Sequence, residues 1–279
     1  MQRVRNRAVQ LLAFAVLSFV MLGTSSMAAD RASVTAFLKV TGFDVAIDSI
    51  ALSASSAPDM LGMDASDFGL EWTRLANDVF KPELMQTRAT DILEQTLSDD
   101  MLAHAATFYA SDLGQRLVDA ENASHFEEDA VKYAEGEKLV TELMADNRAR
   151  IDMLKRMNQA IDPNDIGPQA IQEIQVRFIL AAAYAGLIEL RIDEDGLRAA
   201  LAETEQELLN SMEESALANS AYTYQNFSDA EILSYTEALE DPEMQLVYEL
   251  MNAVHFEVML NRFEVLAVRM ADMQPAQDL

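Results

Sequence analysis

The chain has 279 residues, with 47 Asp+Glu against 20 Lys+Arg and a formal net charge of −27 at pH 7. A field of that sign repels phosphate backbones and anionic lipid headgroups, which argues against nucleic-acid binding and charge-driven membrane attachment. There is no cysteine, so a packed core has to supply the stability that disulfides give many exported proteins.

At the N-terminus Arg3, Arg5 and Arg7 precede an apolar run over 8–22, and Ser26-Met27-Ala28 places small residues before Ala29. This order predicts a signal peptide over 1–28, cleaved near Ala28, and a periplasmic protein. The apolar run is short for the roughly 20 residues a bilayer span needs. No second span is expected, since the apolar stretch 178–188 is shorter still and flanked by Arg177 and Glu189.

Only nine Gly and six Pro occur, and apolar residues recur at helical spacing, so the fold class is all-α. Residues 53–67, rich in Ser, Ala, Gly, Met and Asp, read as a loose loop. Ser98 and Ser111 are helix-start signals, which predicts a short helix, a tight break and a longer helix. Leu139, Leu143, Ile151, Leu154, Met157 and Ile161 line one side of a helix running to about Ile161. Asp162-Pro163-Asn164-Asp165-Ile166-Gly167-Pro168 then stops one helix and starts another. Ile171, Ile174, Phe178, Ala182 and Ala185 line the next helix, whose stretch 178–188 is expected to be central and buried. Ser228 with Glu231 forms a capping box, and Asp241-Pro242 marks a further start.

The chain also repeats itself. Residues 95–127 align without a gap on 225–257 at a constant offset of 130, with nine identities that include Asn122, His125, Phe126 and their counterparts Asn252, His255, Phe256. Self-similarity at a fixed offset predicts two related helical halves, 29–162 and 163–279, built on αα-hairpin repeats.

Phe108-Tyr109-Ala110-Ser111-Asp112-Leu113-Gly114-Gln115-Arg116 resembles the signature F-Y-x-S-P-x-G-x-K of exported bacterial proteins known as a domain of unknown function, family 2059. Asp112 and Arg116 replace the usual Pro and Lys. The second segment keeps Pro242 but has Ala238, Leu239, Asp241 and Met244 at the other signature positions, and looks like a degenerate copy. The resemblance implies an all-helical periplasmic protein and no particular activity. Read physically, Gly114 lets another backbone approach, and Phe108 and Tyr109 are core-packing side chains.

On a helical wheel Val247, Leu250, Met251, Val254 and Val258 form one apolar stripe. Asn252, His255 and Phe256 lie beside it with Tyr248, as Asn122, His125 and Phe126 do with Val118. This recurring face predicts that Phe126 and Phe256 are buried where the halves meet, with the face as an interaction surface. A two-histidine metal site is the sharper alternative, but the spacing matches neither H-E-x-x-H nor E-x-x-H. Met60/Met63 and Met270/Met273 suit Cu(I) in principle and core filling more simply. His104 has no nucleophile partner nearby in sequence. No catalytic signature is present, and no cofactor is expected. The sequence predicts a periplasmic helical module that acts by binding an unknown protein partner or small ligand. An apolar-ligand carrier with a cavity between the halves is the second reading, and a metal-dependent enzyme the third.

Overall fold

The computed structural model describes residues 29–164 and 166–273. The expected signal peptide lies outside them. Among the described residues there are helices and turns and no strand. In chain order they are α1 (Arg31–Thr41), α2 (Phe43–Ser49), α3 (Ala57–Met60), α4 (Leu70–Val79), α5 (Pro82–Thr96), α6 (Asp99–Tyr109), α7 (Asp112–His125) and α8 (Asp129–Asp146). After these come α9 (Arg148–Ile161), α10 (Ile166–Tyr184), α11 (Glu194–Ala202), α12 (Glu205–Thr223), α13 (Asp229–Leu239) and α14 (Pro242–Ala271).

The helices begin where side chains satisfy the free N–H groups of a first turn. Ser98 accepts from Met101 N and Ser111 from Gly114 N, at 3.2 and 3.1 Å. Ser228 and Glu231 form the reciprocal capping box, and Asp241 accepts from Glu243 N beside Pro242. Both 95–127 and 225–257 therefore hold a hairpin whose break falls at Ser111 or Asp241. The Asp162 carboxylate accepts from Ile166 N and Gly167 N at 3.0 and 2.8 Å, which starts α10 directly after α9 has stopped.

Three local expectations need correction. The helix foreseen up to Ile161 is two helices, α8 and α9. They part at Asn147 (φ −148°, ψ 70°), whose side chain caps α9 and donates to Asp229 82 positions away. Residues 53–67 are mostly short helical turns, stabilised by serines bonding back onto carbonyls, as Ser53 does to Ile50 O at 2.6 Å. Finally, α10 ends at Tyr184, which is 86% exposed, so only its middle is central and buried.

One hydrophobic core runs from Ala29 to Met270 and crosses the break at Asp162. Its axis is α14, which packs on α4, α5, α6 and α10 and buries Met244, Val247, Met251, Val254, Val258, Phe263 and Met270. Phe263 is held edge-on between Phe80 and Phe178, with centroids at 5.6 and 5.3 Å. Helices from the two sides of residue 162 interleave: α8 lies on α12 and α9 on α13. No helix among the described residues is long and apolar enough to cross a membrane.

Candidate functional site

Where α2, α7, α12, α13 and α14 meet, they line a half-open cavity of about 460 Å³. That size lies within the range of small-molecule sites. Phe43, Ala46, Ile47, Met251 and Phe256 give it apolar walls, while Glu121, Asn122, His125, Lys132, Asn252 and His255 bring polar groups to it.

The polar floor is a network of four tyrosines on one carboxylate. Tyr224 and Tyr235 both donate to Glu121 Oε1, at 2.7 and 2.9 Å. The Tyr235 hydroxyl lies 3.1 Å from those of Tyr109 and Tyr248, which also bond each other. One donor order satisfies every hydroxyl: Tyr109 to Tyr248, Tyr248 to Tyr235, Tyr235 to Glu121. Each bond in such a chain polarises the next towards the carboxylate. Burial pushes the Glu121 carboxyl up to about 7, against the opposing effect of the two tyrosine hydrogen bonds. Burial likewise pushes all four phenols above their usual range, so they stay protonated.

Two loop contacts hold the floor in place. Arg150, 8% exposed, donates to the carbonyls of Tyr224 and Phe227 at 2.8 Å each and to Asp229 at 2.6 Å, fixing the turn that carries Tyr224. Gly114 sits against the end of α6: a Cβ there would lie 2.3 Å from Phe108 O and 2.6 Å from Tyr109 Cα. The close approach expected of this glycine is present, and it positions Tyr109. The Ser111 cap begins α7, which carries Glu121. Phe108 stacks on Tyr235 at 5.8 Å. Phe108, Tyr109, Ser111 and Gly114 thus all bear on the floor of the cavity.

The Asn-His pairs of the two hairpins come together here. Asn122, His125, Asn252 and His255 all line the one cavity. His125 Nδ1 faces Ser49 Oγ at 3.3 Å, and Asn252 donates to Ile161 O at 3.0 Å. Burial lowers the His125 imidazole, helped by the Lys132 ammonium. Burial, and then the neighbouring His125, lowers His255 to about 4. Both rings are therefore neutral near pH 7. Lys132 is turned to Asp129, at 3.0 Å, and to the Ser124 carbonyl. Asn122 also lies against Gly42, whose left-handed φ of 76° ends α1 and turns the chain into α2.

Phe126 departs from expectation. It is 66% exposed, whereas Phe256 is half-buried against the core and lines the cavity. The reason is the length of the helix. α7 stops at His125, and Phe126 is its C-cap residue (φ −99°, ψ −2°), while α14 runs on past Phe256. A wheel position has no meaning beyond the end of its helix.

Met60, Met63 and Met273 pack against the core and Met270 is buried within it, as core filling requires. Among the described residues no group of three or more His, Asp and Glu side chains is placed to hold a metal ion. His104 lies 3.3 Å from Asp241. Sequence reasoning missed Glu121, Tyr224, Tyr235 and Lys132 as site residues. For Glu121 there was a signal: it follows Leu117 and Val118 by four and three positions, so a carboxylate stands on the inward stripe of α7.

Among the comparisons with known proteins, no curated protein and no solved structure matches the chain. Residues 83–142, from the first turn of α5 to most of α8 and including Tyr109, Glu121 and His125, match a family model described as an uncharacterized protein conserved in bacteria (DUF2059), which supports the family resemblance.

Proposed function

We propose that this is an exported, periplasmic binding protein that holds a small amphipathic ligand in the cavity between α2, α7, α12 and α14 and performs no chemistry of its own. The observation that carries this reading is a walled space whose polar groups keep unused hydrogen-bonding capacity. Oε1 of Glu121 is taken by two tyrosines, whereas Oε2 and the His255 ring nitrogens make no hydrogen bond among the described residues. Native mass spectrometry of protein purified from its own periplasm tests it. A co-purifying small molecule, lost when bulky side chains fill the cavity (Ala46→Phe), is the expected result; an unliganded protein indifferent to that substitution refutes it. N-terminal sequencing tests export, with Ala29 expected and an intact Met1 refuting it.

We also read the two hairpins as copies of one unit, the second degenerate. Their matched caps, and the meeting of the two Asn-His pairs at one cavity, support this. A second functional reading, a protein-interaction module, is favoured by exposed Phe126 with exposed Val131 nearby at the start of α8. Photo-crosslinking from position 126 in the periplasm distinguishes it: a discrete adduct supports a partner there, and no adduct leaves the cavity as the working surface.

A further inference from the structure

The cavity reading leaves the ligand's chemistry open, and the arrangement around Glu121 narrows it. We propose that the ligand carries an organic ammonium head, seated on Glu121 Oε2 and flanked by the rings of Phe43, Tyr224 and Tyr248, with an apolar body along Ile47, Met251 and Phe256. This inference rests on the binding reading above.

Three observations favour a cation. The first is that Glu121 has no ion-pair partner among the described residues, while its other oxygen is fixed by two tyrosine hydroxyls. A part-buried carboxylate whose one oxygen takes two hydrogen bonds and whose other oxygen takes none is compensated when a positive group reaches it. The second is the disposition of the other titratable groups that face it. Tyr109 from α6, Tyr224 after α12, Tyr235 from α13 and Tyr248 from α14 remain protonated. His125 from α7 and His255 from α14 are neutral, and Lys132 from α8 is held by Asp129. No protein cation is therefore directed at the carboxylate. The third is the aromatic lining. Phe43, Tyr224, Tyr235 and Tyr248 line the same cavity as Glu121, with Phe43 edge to face on Tyr248 at 5.5 Å and Tyr224 on Tyr235 at 6.0 Å, and aromatic rings attract ammonium groups. An anionic head would meet the Glu121 carboxylate and a chain of net charge −27, a field that instead draws cations in.

The test uses three probes with one body and different heads: n-octylammonium, octanoate and 1-octanol, titrated calorimetrically into the purified full chain at pH 8 and pH 5.5. Octylammonium is expected to bind tightest at pH 8 and to weaken on the order of tenfold per pH unit below about 7, because the competent, ionised form of Glu121 becomes scarce. Glu121→Gln should remove that pH dependence and weaken octylammonium by about tenfold or more at pH 8, with octanol weakened less. If Glu121→Gln does not fold, Tyr224→Phe serves instead: it deletes one hydrogen bond to the same carboxylate and should move the midpoint of the pH dependence upward. Preference for octanoate, or equal binding of octanol and octylammonium, overturns the ammonium head and leaves the binding reading standing. Binding of none of the three overturns the ammonium head and counts against the cavity as a ligand site.

Discussion

Glu121→Gln makes the part-buried carboxyl the subject of a stability measurement independent of any ligand. In the folded chain its carboxyl titrates near 7, against 4.5 ordinarily, because burial disfavours the charged form. An acid raised in the folded state is protonated more readily folded than unfolded. Its stabilising contribution is complete below pH 4.5 and is lost as the pH rises through about 7. At about 1.4 kcal/mol per unit, the shift corresponds to roughly 3 kcal/mol across that window. Glutamine keeps the acceptor for Tyr224 and Tyr235 and cannot ionise, so the variant escapes the loss. The gap in stability, variant minus wild type, should therefore grow by roughly 3 kcal/mol between pH 5 and pH 8. For a chain of this length that is about 6–12 °C in melting temperature. The other carboxylates are common to both proteins and cancel in the difference. His255, lowered to about 4, acts in the opposite direction: its contribution is complete above 6.5 and is lost as the pH falls through 4. Between pH 4.5 and 6.5 the two slopes oppose each other, so the wild-type profile alone is a poor assay and the paired comparison is the informative one. Melts of both proteins followed by circular dichroism at half-unit steps of pH would measure it. A gap that stays constant from pH 5 to 8, or narrows, refutes a Glu121 carboxyl held without an ion-pair partner.

Three further substitutions probe what holds the site. Gly114→Ala puts a Cβ 2.3 Å from Phe108 O, a backbone atom that can yield only if α6 moves, so denaturant unfolding should show a loss of about 1–3 kcal/mol, and a loss under about 0.5 would contradict the packing. Arg150→Ala leaves the Phe227 carbonyl without a donor and the Tyr224 carbonyl with only the Phe227 N–H, and should cost about 1–3 kcal/mol by the same assay, with Arg150→Lys recovering part of it, whereas no loss would show that water replaces the guanidinium. Phe126→Ala should change stability by less than about 0.5 kcal/mol and Phe256→Ala by roughly 1–3, and a reversed order would mean that the first hairpin's Phe is the packed one.

What the sequence disclosed was local. Ser98, Ser111, Ser228, Asp241 and Asp162 each cap a helix through a hydrogen bond to a residue two to five positions away, so pattern alone located them. The break at Asn147 escaped because nothing in Ala145–Arg148 forbids a continuous helix; the Asn147 side chain is held by Asp229, far along the chain. Phe126 was misplaced because a wheel assumes the helix goes on, and α7 ends one residue earlier.

The candidate site was half legible, for a reason that follows from the repeat. Aligning 95–127 with 225–257 gives weight to identities, and these delivered the Asn122/His125 and Asn252/His255 pairs that do meet at the cavity. The floor lies where the segments differ. At the offset of 130, Glu121 corresponds to Met251, Ala105 to Tyr235, Val118 to Tyr248 and Tyr109 to Leu239. On the duplicated reading proposed above, the two segments have diverged where they meet the cavity: one position holds a carboxylate and its counterpart a thioether, and phenols from both segments gather on the carboxylate. The divergence leaves Glu121 as the one carboxylate in the cavity lining among the described residues, and a single carboxylate gives a cationic head one preferred seat. Introducing Met251→Glu, which adds a second carboxylate to the lining, should weaken octylammonium selectivity over octanol by supplying an unpaired charge against the guest's apolar body. Calorimetric titration of that variant with both probes measures it, and unchanged selectivity would show that Met251 does not face the bound chain.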